Sequence, residues 1–298
     1  MIPFCKFHGF GNDYIVFDAG ELKNVSSVNA FAERICHRHT GIGGDGIAVL
    51  EKLDNETADF SCRIINPDGS EAAFSGNGTR CAVAYLYYKN LWREKSLKLE
   101  TKSGVKTYEL LERNDSTFWF LAELGKPKFD LPDSPLLRSI TQLKEKGGEA
   151  AAISSEANSF SLLVSGLGLL CDFVFVDVGN PVVCMFVNDF SALAWQHIGR
   201  KIEQSADAFP ARTNVVFVKI IDRDNVEIRI WERGAGETAS SGTCSIAAAV
   251  ASASAGKTNR KVSVHAPGGT TETVWRETDD EMMITGRADL AFCGEYFQ

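Results

Sequence analysis

Apolar positions along this chain switch between two periods. Phe60, Cys62 and Ile64 alternate with polar neighbours, the two-residue period of a half-buried strand. Val28, Phe31, Ala32, Ile35 and Cys36 recur at helical spacing, and Ser26 or Ser27 is placed to cap that helix. The same reading predicts a strand over Tyr14 to Asp18, preceded by a Gly-rich loop from His8 to Asp13. Gly41-Ile-Gly-Gly-Asp-Gly46 ends the first helical segment and leads into a strand from Ile47 to Leu50. A helix from about Gly78 to Lys89 follows, then strands near Leu97 to Thr101, Val105 to Leu111 and Thr117 to Glu123.

Gly125-Lys-Pro-Lys-Phe-Asp-Leu-Pro-Asp-Ser-Pro135 gathers Pro, Gly and charge between two strand-rich regions and reads as a linker. The second half then repeats the first. A strand at Phe173 to Asp177 runs into a Gly179-Asn-Pro181 turn, and a helix is expected over Ser191 to Glu203. Strands at Val215 to Lys219 and Val226 to Trp231 precede a helix from about Gly242 to Ala255. Strands near Val262 to His265 and Thr271 to Trp275 follow it. The order is strand, Glu-x-x-x-Ser-Gly, helix, strands, in both halves. That is a duplication with a period far longer than a solenoid repeat. It predicts two similar α+β domains facing each other.

The duplicated element is the candidate chemistry. Glu71 precedes Ser75-Gly76 by the same offset at which Glu237 precedes Ser241-Gly242, and an alanine-rich apolar run follows each. Each Ser-Gly therefore starts a helix. A single Ser at a helix start is an ordinary N-cap; the matched pair is what sets these apart. The first turn of a helix carries unpaired N–H groups and the positive end of the macrodipole, which suits a carboxylate or oxyanion. Glycines 76, 78 and 242 allow close backbone approach. Two opposed starts would grip one carboxylate and stabilise the charge that develops when its neighbouring carbon loses a proton. A proton-transfer group on each side is the arrangement that inverts a stereocentre without a cofactor.

Composition narrows the partners. The 298 residues carry a net charge of −8 and a pI near 5.3, which argues against nucleic acid and anionic membrane surfaces. No apolar run approaches the roughly 20 residues that span a bilayer, and the start Met1-Ile-Pro-Phe-Cys-Lys-Phe-His8 lacks a signal-peptide pattern, so a cytoplasmic location is expected. The 8 Cys form no C-x-x-C pair and are expected as reduced, mostly buried thiols. Cys36-His37-Arg38-His39 does not converge on one point, and no metal site is expected.

Eight stretches, read together, resemble the diaminopimelate epimerase family: His8-Gly-Phe-Gly-Asn-Asp-Tyr14, His39-Thr-Gly-Ile-Gly-Gly-Asp-Gly46, Asn66-Pro-Asp-Gly-Ser-Glu71, Ser75-Gly-Asn-Gly-Thr-Arg-Cys81, Gly179-Asn-Pro181, Thr213-Asn-Val-Val-Phe-Val218, Trp231-Glu-Arg-Gly-Ala-Gly-Glu-Thr238 and Gly286-Arg-Ala onward to Gly294-Glu295. The resemblance implies an α+β fold of two pseudo-symmetric domains, each a mixed β barrel around a central helix, with the active site in the cleft between them. It implies an N-terminal domain of residues 1–124 plus 285–298 and a C-terminal domain of 125–284. The activity implied is epimerisation of diaminopimelate, LL to meso, without pyridoxal phosphate or any other cofactor, in lysine and cell-wall biosynthesis. Carried over, Asn12, Asn66 and Asn214 would hold the substrate's far amino-acid end, Arg233 its carboxylate, and Glu232 an ammonium group. Asn180 would line the site. The N–H groups of Gly76-Asn77 and Gly242-Thr243 would hold the carboxylate at the reacting centre, with Ser75 and Ser241 as the catalytic pair. A small amino acid or carboxylic acid is the expected partner, and a homodimer stays open.

Three positions depart from the family. Ser75 and Ser241 stand where the family has catalytic Cys, and Val182 stands where it usually has His after Gly-Asn-Pro. The second motif also reads Ser240-Ser-Gly-Thr-Cys244-Ser245, placing a thiol three residues beyond the expected one. A hydroxyl is a far weaker acid than a thiol and needs an adjacent base, and no His or Lys in the motif supplies one. A paralogue with altered isomerisation or elimination, or one that binds an amino acid without catalysis, is the alternative.

Overall fold

The computed structural model describes residues 1–130, 159–164, 169–191 and 193–297. The expected linker therefore lies within the described residues only as far as 130. Two compact units result: Met1–Leu124 with Met283–Gln298, and Gly125–Met282.

In chain order the first unit holds β1 (Ile2–Gly9), β2 (Asn12–Asp18), α1 (Val28–Ile35), β3 (Gly46–Lys52), β4 (Phe60–Ile65), β5 (Glu71–Ala72), α2 (Gly76–Tyr88), β6 (Ser96–Thr101), β7 (Gly104–Asn114) and β8 (Thr117–Glu123). The second holds β9 (Ser159–Val164), β10 (Leu169–Asp177), β11 (Pro181–Phe186), α3 (Trp195–Glu203), β12 (Asn214–Ile220), β13 (Asn225–Glu232), β14 (Gly236–Thr238), α4 (Gly242–Ser254), β15 (Lys261–Ala266) and β16 (Gly269–Trp275). The last strand is β17 (Met282–Tyr296).

Pairing in the first unit runs β1–β2 antiparallel, β2–β3 parallel, β3–β4 antiparallel, β4–β6 parallel, then antiparallel through β7 and β8 to β17 and back to β1. The sheet closes, so its core strands have no free edge. The helix α2 packs on β1 to β4 and is buried from Gly76 to Tyr87. A helix that is buried on every side needs small or apolar residues all round, and Gly, Ala, Cys and Val supply them here. On a second face, Phe31, Ala32 and Ile35 of α1 join Phe4, Ile15, Phe17, Ile47 and Val49 in one core cluster. Ser27 caps α1, accepting from the Ala30 N–H.

The second unit repeats the order of pairing signs. β10–β11 is antiparallel, β11–β12 parallel, β12–β13 and β13–β14 antiparallel, β13–β15 parallel and β15–β16 antiparallel. These match β1–β2, β2–β3, β3–β4, β4–β5, β4–β6 and β6–β7 in turn. The helix α3 falls between β11 and β12 as α1 falls between β2 and β3, and α4 answers α2 with the same 13-residue length.

Several sequence expectations need correction. The loop expected from His8 to Asp13 is a tight hairpin. Phe10 and Gly11 both take positive φ, 53° and 89°, the twist that a two-residue β-hairpin turn requires. The helix expected from Ser191 starts at Trp195. Asp189 accepts from the N–H and Oγ–H of Ser191, which holds that stretch as a turn. The expectation of reduced thiols fails at two of the cysteines. Cys5 and Cys293 sit opposite each other on β1 and β17 and form a disulfide. Cys36, Cys62, Cys81, Cys184 and Cys244 are buried free thiols.

Candidate active site

In the first unit the site is built on the N-terminus of α2. Ser75 is the N-cap, with extended backbone, and its Oγ accepts from the Gly78 N–H at 3.1 Å. The N–H groups of Gly76 and Asn77 have no acceptor within the helix, as at any helix start. Tyr14 Oη lies 2.9 Å from Ser75 Oγ. Both Ser-capped helix starts are buried: Asn77 is 2% exposed and Ser241 5%.

A chain of amides fixes the surroundings of α2. The Arg80 guanidinium, 1% exposed, donates from Nη1 to Asn77 Oδ1 at 3.0 Å. Asn77 Nδ2 then donates to Asn12 Oδ1, and Asn12 Nδ2 to Asp45 Oδ2. A cation at one end and a carboxylate at the other leave each amide one orientation. Arg80 itself packs against the backbone of Gly286 on β17, where a Cβ would come within 2.6 Å of its Cζ. Burial pulls the Arg80 pKa down.

Asp13, next in sequence, belongs to the same cluster. Burial raises its pKa, but the hydrogen bonds and charge of Arg38 and Lys6 outweigh that and hold it at about 2. Asp45 moves the other way, raised by burial and by the Asp13 charge. Asn66 is placed apart from this chain. Its Nδ2 donates to Ser70 Oγ within the Asn66–Ser70 turn.

In the second unit Ser241 caps α4 as Ser75 caps α2, and its Oγ accepts from the Cys244 N–H. Ser241 Oγ donates to Glu232 Oε2 at 3.1 Å, and Thr238 Oγ1 donates to Glu232 Oε1 at 2.7 Å. The β13–β14 hairpin makes this possible, because Glu232 opposes Gly236 and Ile230 opposes Thr238. Asn214 accepts the Arg233 backbone N–H on its Oδ1, while its buried Nδ2 has no partner. The Arg233 side chain donates to the Ala211 carbonyl at 2.9 Å and to Asn180 Oδ1 at 3.4 Å. Glu203, 3% exposed, pairs with Arg212 and accepts from the Gly234 N–H, which anchors the loop after Arg233. Asn180, Asn214, Glu232, Arg233 and Ser241 thus form one connected group, to which the α4 start adds Gly242 and Thr243.

Two features escaped the sequence reading. Glu232, assigned there to an ammonium group, accepts a hydrogen bond from the Ser241 hydroxyl. Tyr14 was read as part of a strand and as the end of the first family motif, with no role of its own. The matched Glu residues that drew attention play no comparable part: Glu71 pairs with Arg63, and Glu237 is exposed opposite Trp231. Val182 is fully buried in β11, and Cys244 is fully buried in α4. Burial, with the Glu232 charge adding to it, pushes the Cys244 thiol well above the ordinary range, so a displaced thiol base is not what α4 provides.

A closed barrel around α2 and a second unit that repeats its pairing order beside α4, each presenting a Ser-capped helix start, define a duplicated α+β class. Solved structures share that fold. A hydroxyproline epimerase from Agrobacterium vitis aligns over 99% of this chain and 90% of its own, with TM-score 0.65 and 13% identity. A methylitaconate-delta-isomerase aligns over 98% and 94%, with TM-score 0.61 and 13% identity. Within that class the sequence is more specific. The diaminopimelate epimerase family model matches residues 4–129 and 174–291. A diaminopimelate epimerase of Heliobacterium modesticaldum is 36% identical over 99% of both chains, and one of Methanococcus maripaludis is 34% identical over 99% of both. The chain belongs to the diaminopimelate epimerase family.

Proposed function

We propose that this chain epimerises the α-carbon of diaminopimelate, LL to meso, without a cofactor, using Ser75 and Ser241 as the two proton-transfer groups. The supporting observation is the Ser241–Glu232 contact. A carboxylate within hydrogen-bond reach is what a serine needs to act as a base. In this reading the helix starts at Gly76-Asn77 and at Gly242-Thr243 each offer their N–H groups to the substrate carboxylate. Their N–H groups hold the charge that develops as the α-proton leaves. Arg233, steadied by Asn180 and Ala211, takes the far carboxylate. Asn12, Asn66 and Asn214 take the other polar groups of that end, the unpartnered Nδ2 of Asn214 being one free donor.

The test is conversion of LL-diaminopimelate to the meso form by the purified chain, followed by chiral separation with no pyridoxal phosphate added. Conversion that is lost in Ser75→Ala and in Ser241→Ala supports the reading. Tight binding of diaminopimelate without conversion would instead place the chain among binding-only relatives.

A further inference from the structure

The two serines are supplied with protons in opposite ways. Ser241 gives its hydroxyl proton to Glu232, and an ionised carboxylate only accepts. Among the described residues no carboxylate bonds to the Ser75 hydroxyl. One lone pair takes the Gly78 N–H, and the other side meets the phenol of Tyr14 at 2.9 Å, a contact in which either oxygen can be the donor. The phenol is held in place by the fold. Tyr14 is 6% exposed on β2. Its Cε1 lies where a Cβ at Gly46 or at Gly78 would come within 2.9 Å. Both positions are glycine, and the ring sits against both backbones.

We propose that Tyr14 is a positioning and proton-relay residue for Ser75, so that the Ser75–Tyr14 pair rests as the acid and the Ser241–Glu232 pair rests as the base. The inference rests on the epimerase reading above. When Tyr14 donates to Ser75, the Ser75 proton is released to point at the substrate. In the resting direction the substrate Cα–H bond breaks and its proton goes to Ser241 Oγ, as the Ser241 proton passes to the Glu232 carboxylate. On the opposite face the Ser75 O–H bond breaks and its proton forms the new Cα–H bond. The Tyr14 proton moves to Ser75 Oγ and leaves a phenolate. One proton has entered at Glu232 and one has left from Tyr14. Water restores both groups before the next turnover, and the reverse reaction runs from the form with Glu232 protonated and Tyr14 ionised. A phenol is far more acidic than an aliphatic hydroxyl, with an ordinary pKa near 10. It supplies the acidity that serine lacks and a thiol would carry by itself.

The test compares Tyr14→Phe in two backgrounds, Ser75 and Ser75→Cys, by diaminopimelate interconversion with kcat and KM separated, and by thermal melting. In the Ser75 background Tyr14→Phe is expected to lower kcat about 10²-fold or more, the usual scale of a proton-transfer group, with KM nearly unchanged. In the Ser75→Cys background the same change is expected to cost less than about 5-fold, because the thiol needs no relay. An equal loss in both backgrounds would show a purely structural role and overturn the relay. So would undiminished activity of Tyr14→Phe beside an active wild type. Loss of folding by Tyr14→Phe in the Ser75 background would mark the phenol as a structural group there and overturn the relay. No interconversion by the wild-type chain would overturn the epimerase reading, and this inference with it.

Discussion

At the scale of single residues, Glu232 carries the sharpest prediction. Sequence reasoning gave it an ammonium group to bind, and the structure points its carboxylate at Ser241. The two roles separate in kinetics. Glu232→Gln keeps the shape and an acceptor oxygen but is a very poor base. If Glu232 drives Ser241, kcat falls about 10²- to 10⁴-fold with a smaller change in KM; if it binds ammonium, KM rises first. Cys244 is the control. It is fully buried beneath the α4 start, so Cys244→Ala is expected to leave interconversion within a few-fold while lowering stability by about 1–2 kcal/mol through lost packing. The two Ser-Gly caps were legible because an N-cap has a residue preference that shows in sequence. The direction of Glu232 was not, because the register of a three-residue hairpin strand decides it and no local pattern encodes that register. Tyr14 was hidden for a similar reason: alternation says which face of a strand is buried, and not which oxygen lies above it.

At the scale of elements, the β1–β2 hairpin and the segment after α1 form the frame around Asn12 and Tyr14. Lys6 and Arg38 converge on Asp13, and Asp45 closes the cluster by accepting from Asn12 and from the Asp13 N–H. The Asp13 pKa in the fold, about 2, lies below the unfolded value of roughly 3.9. Its contribution to stability is therefore complete above about pH 4 and is lost as the pH falls towards 2. Asp45 acts with the opposite sign, since its raised pKa lets the fold take up that proton first. Urea unfolding midpoints measured from pH 5 to 2 should fall more steeply for the wild type than for Asp13→Asn. Equal slopes would show that the cluster does not couple to folding. Because Arg38 is half exposed, its share is screened and small. The elements themselves were largely readable from period and caps. The hairpin turn was not, since Phe10 at positive φ is a conformation that a bulky residue rarely adopts.

At the scale of the whole chain, the duplication read from two short motifs proves to be a duplication of pairing order, helix placement and helix length. What the two motifs alone could not show is how the first unit closes; only the family resemblance, which put residues 285–298 with 1–124, implied it. The closure falls to β17, whose partners β1 and β8 lie far away in sequence, and a strand is recognised by its neighbours only when they are near. The Cys5–Cys293 disulfide pins this closure across 288 residues. In the chain-entropy view it stabilises the fold by roughly 5 kcal/mol at most. Thiol-specific labelling of the native protein should leave Cys5 and Cys293 unlabelled, and Cys5→Ser or added reductant should lower the melting temperature by several degrees. An unchanged melt would mean that β17 is held by its ladder and side chains alone. No helix among the described residues is long and apolar enough to cross a membrane.

The central claim is that two serine-capped helix starts exchange a proton with one substrate carbon. Its most direct test is solvent deuterium entering the α-position of LL-diaminopimelate and of meso-diaminopimelate, followed by proton NMR in D₂O with the purified chain. The account predicts that label enters with inversion from both isomers, and that entry is abolished by Ser75→Ala and by Ser241→Ala. Exchange that survives both substitutions, or no exchange from either isomer while both are bound, would contradict it.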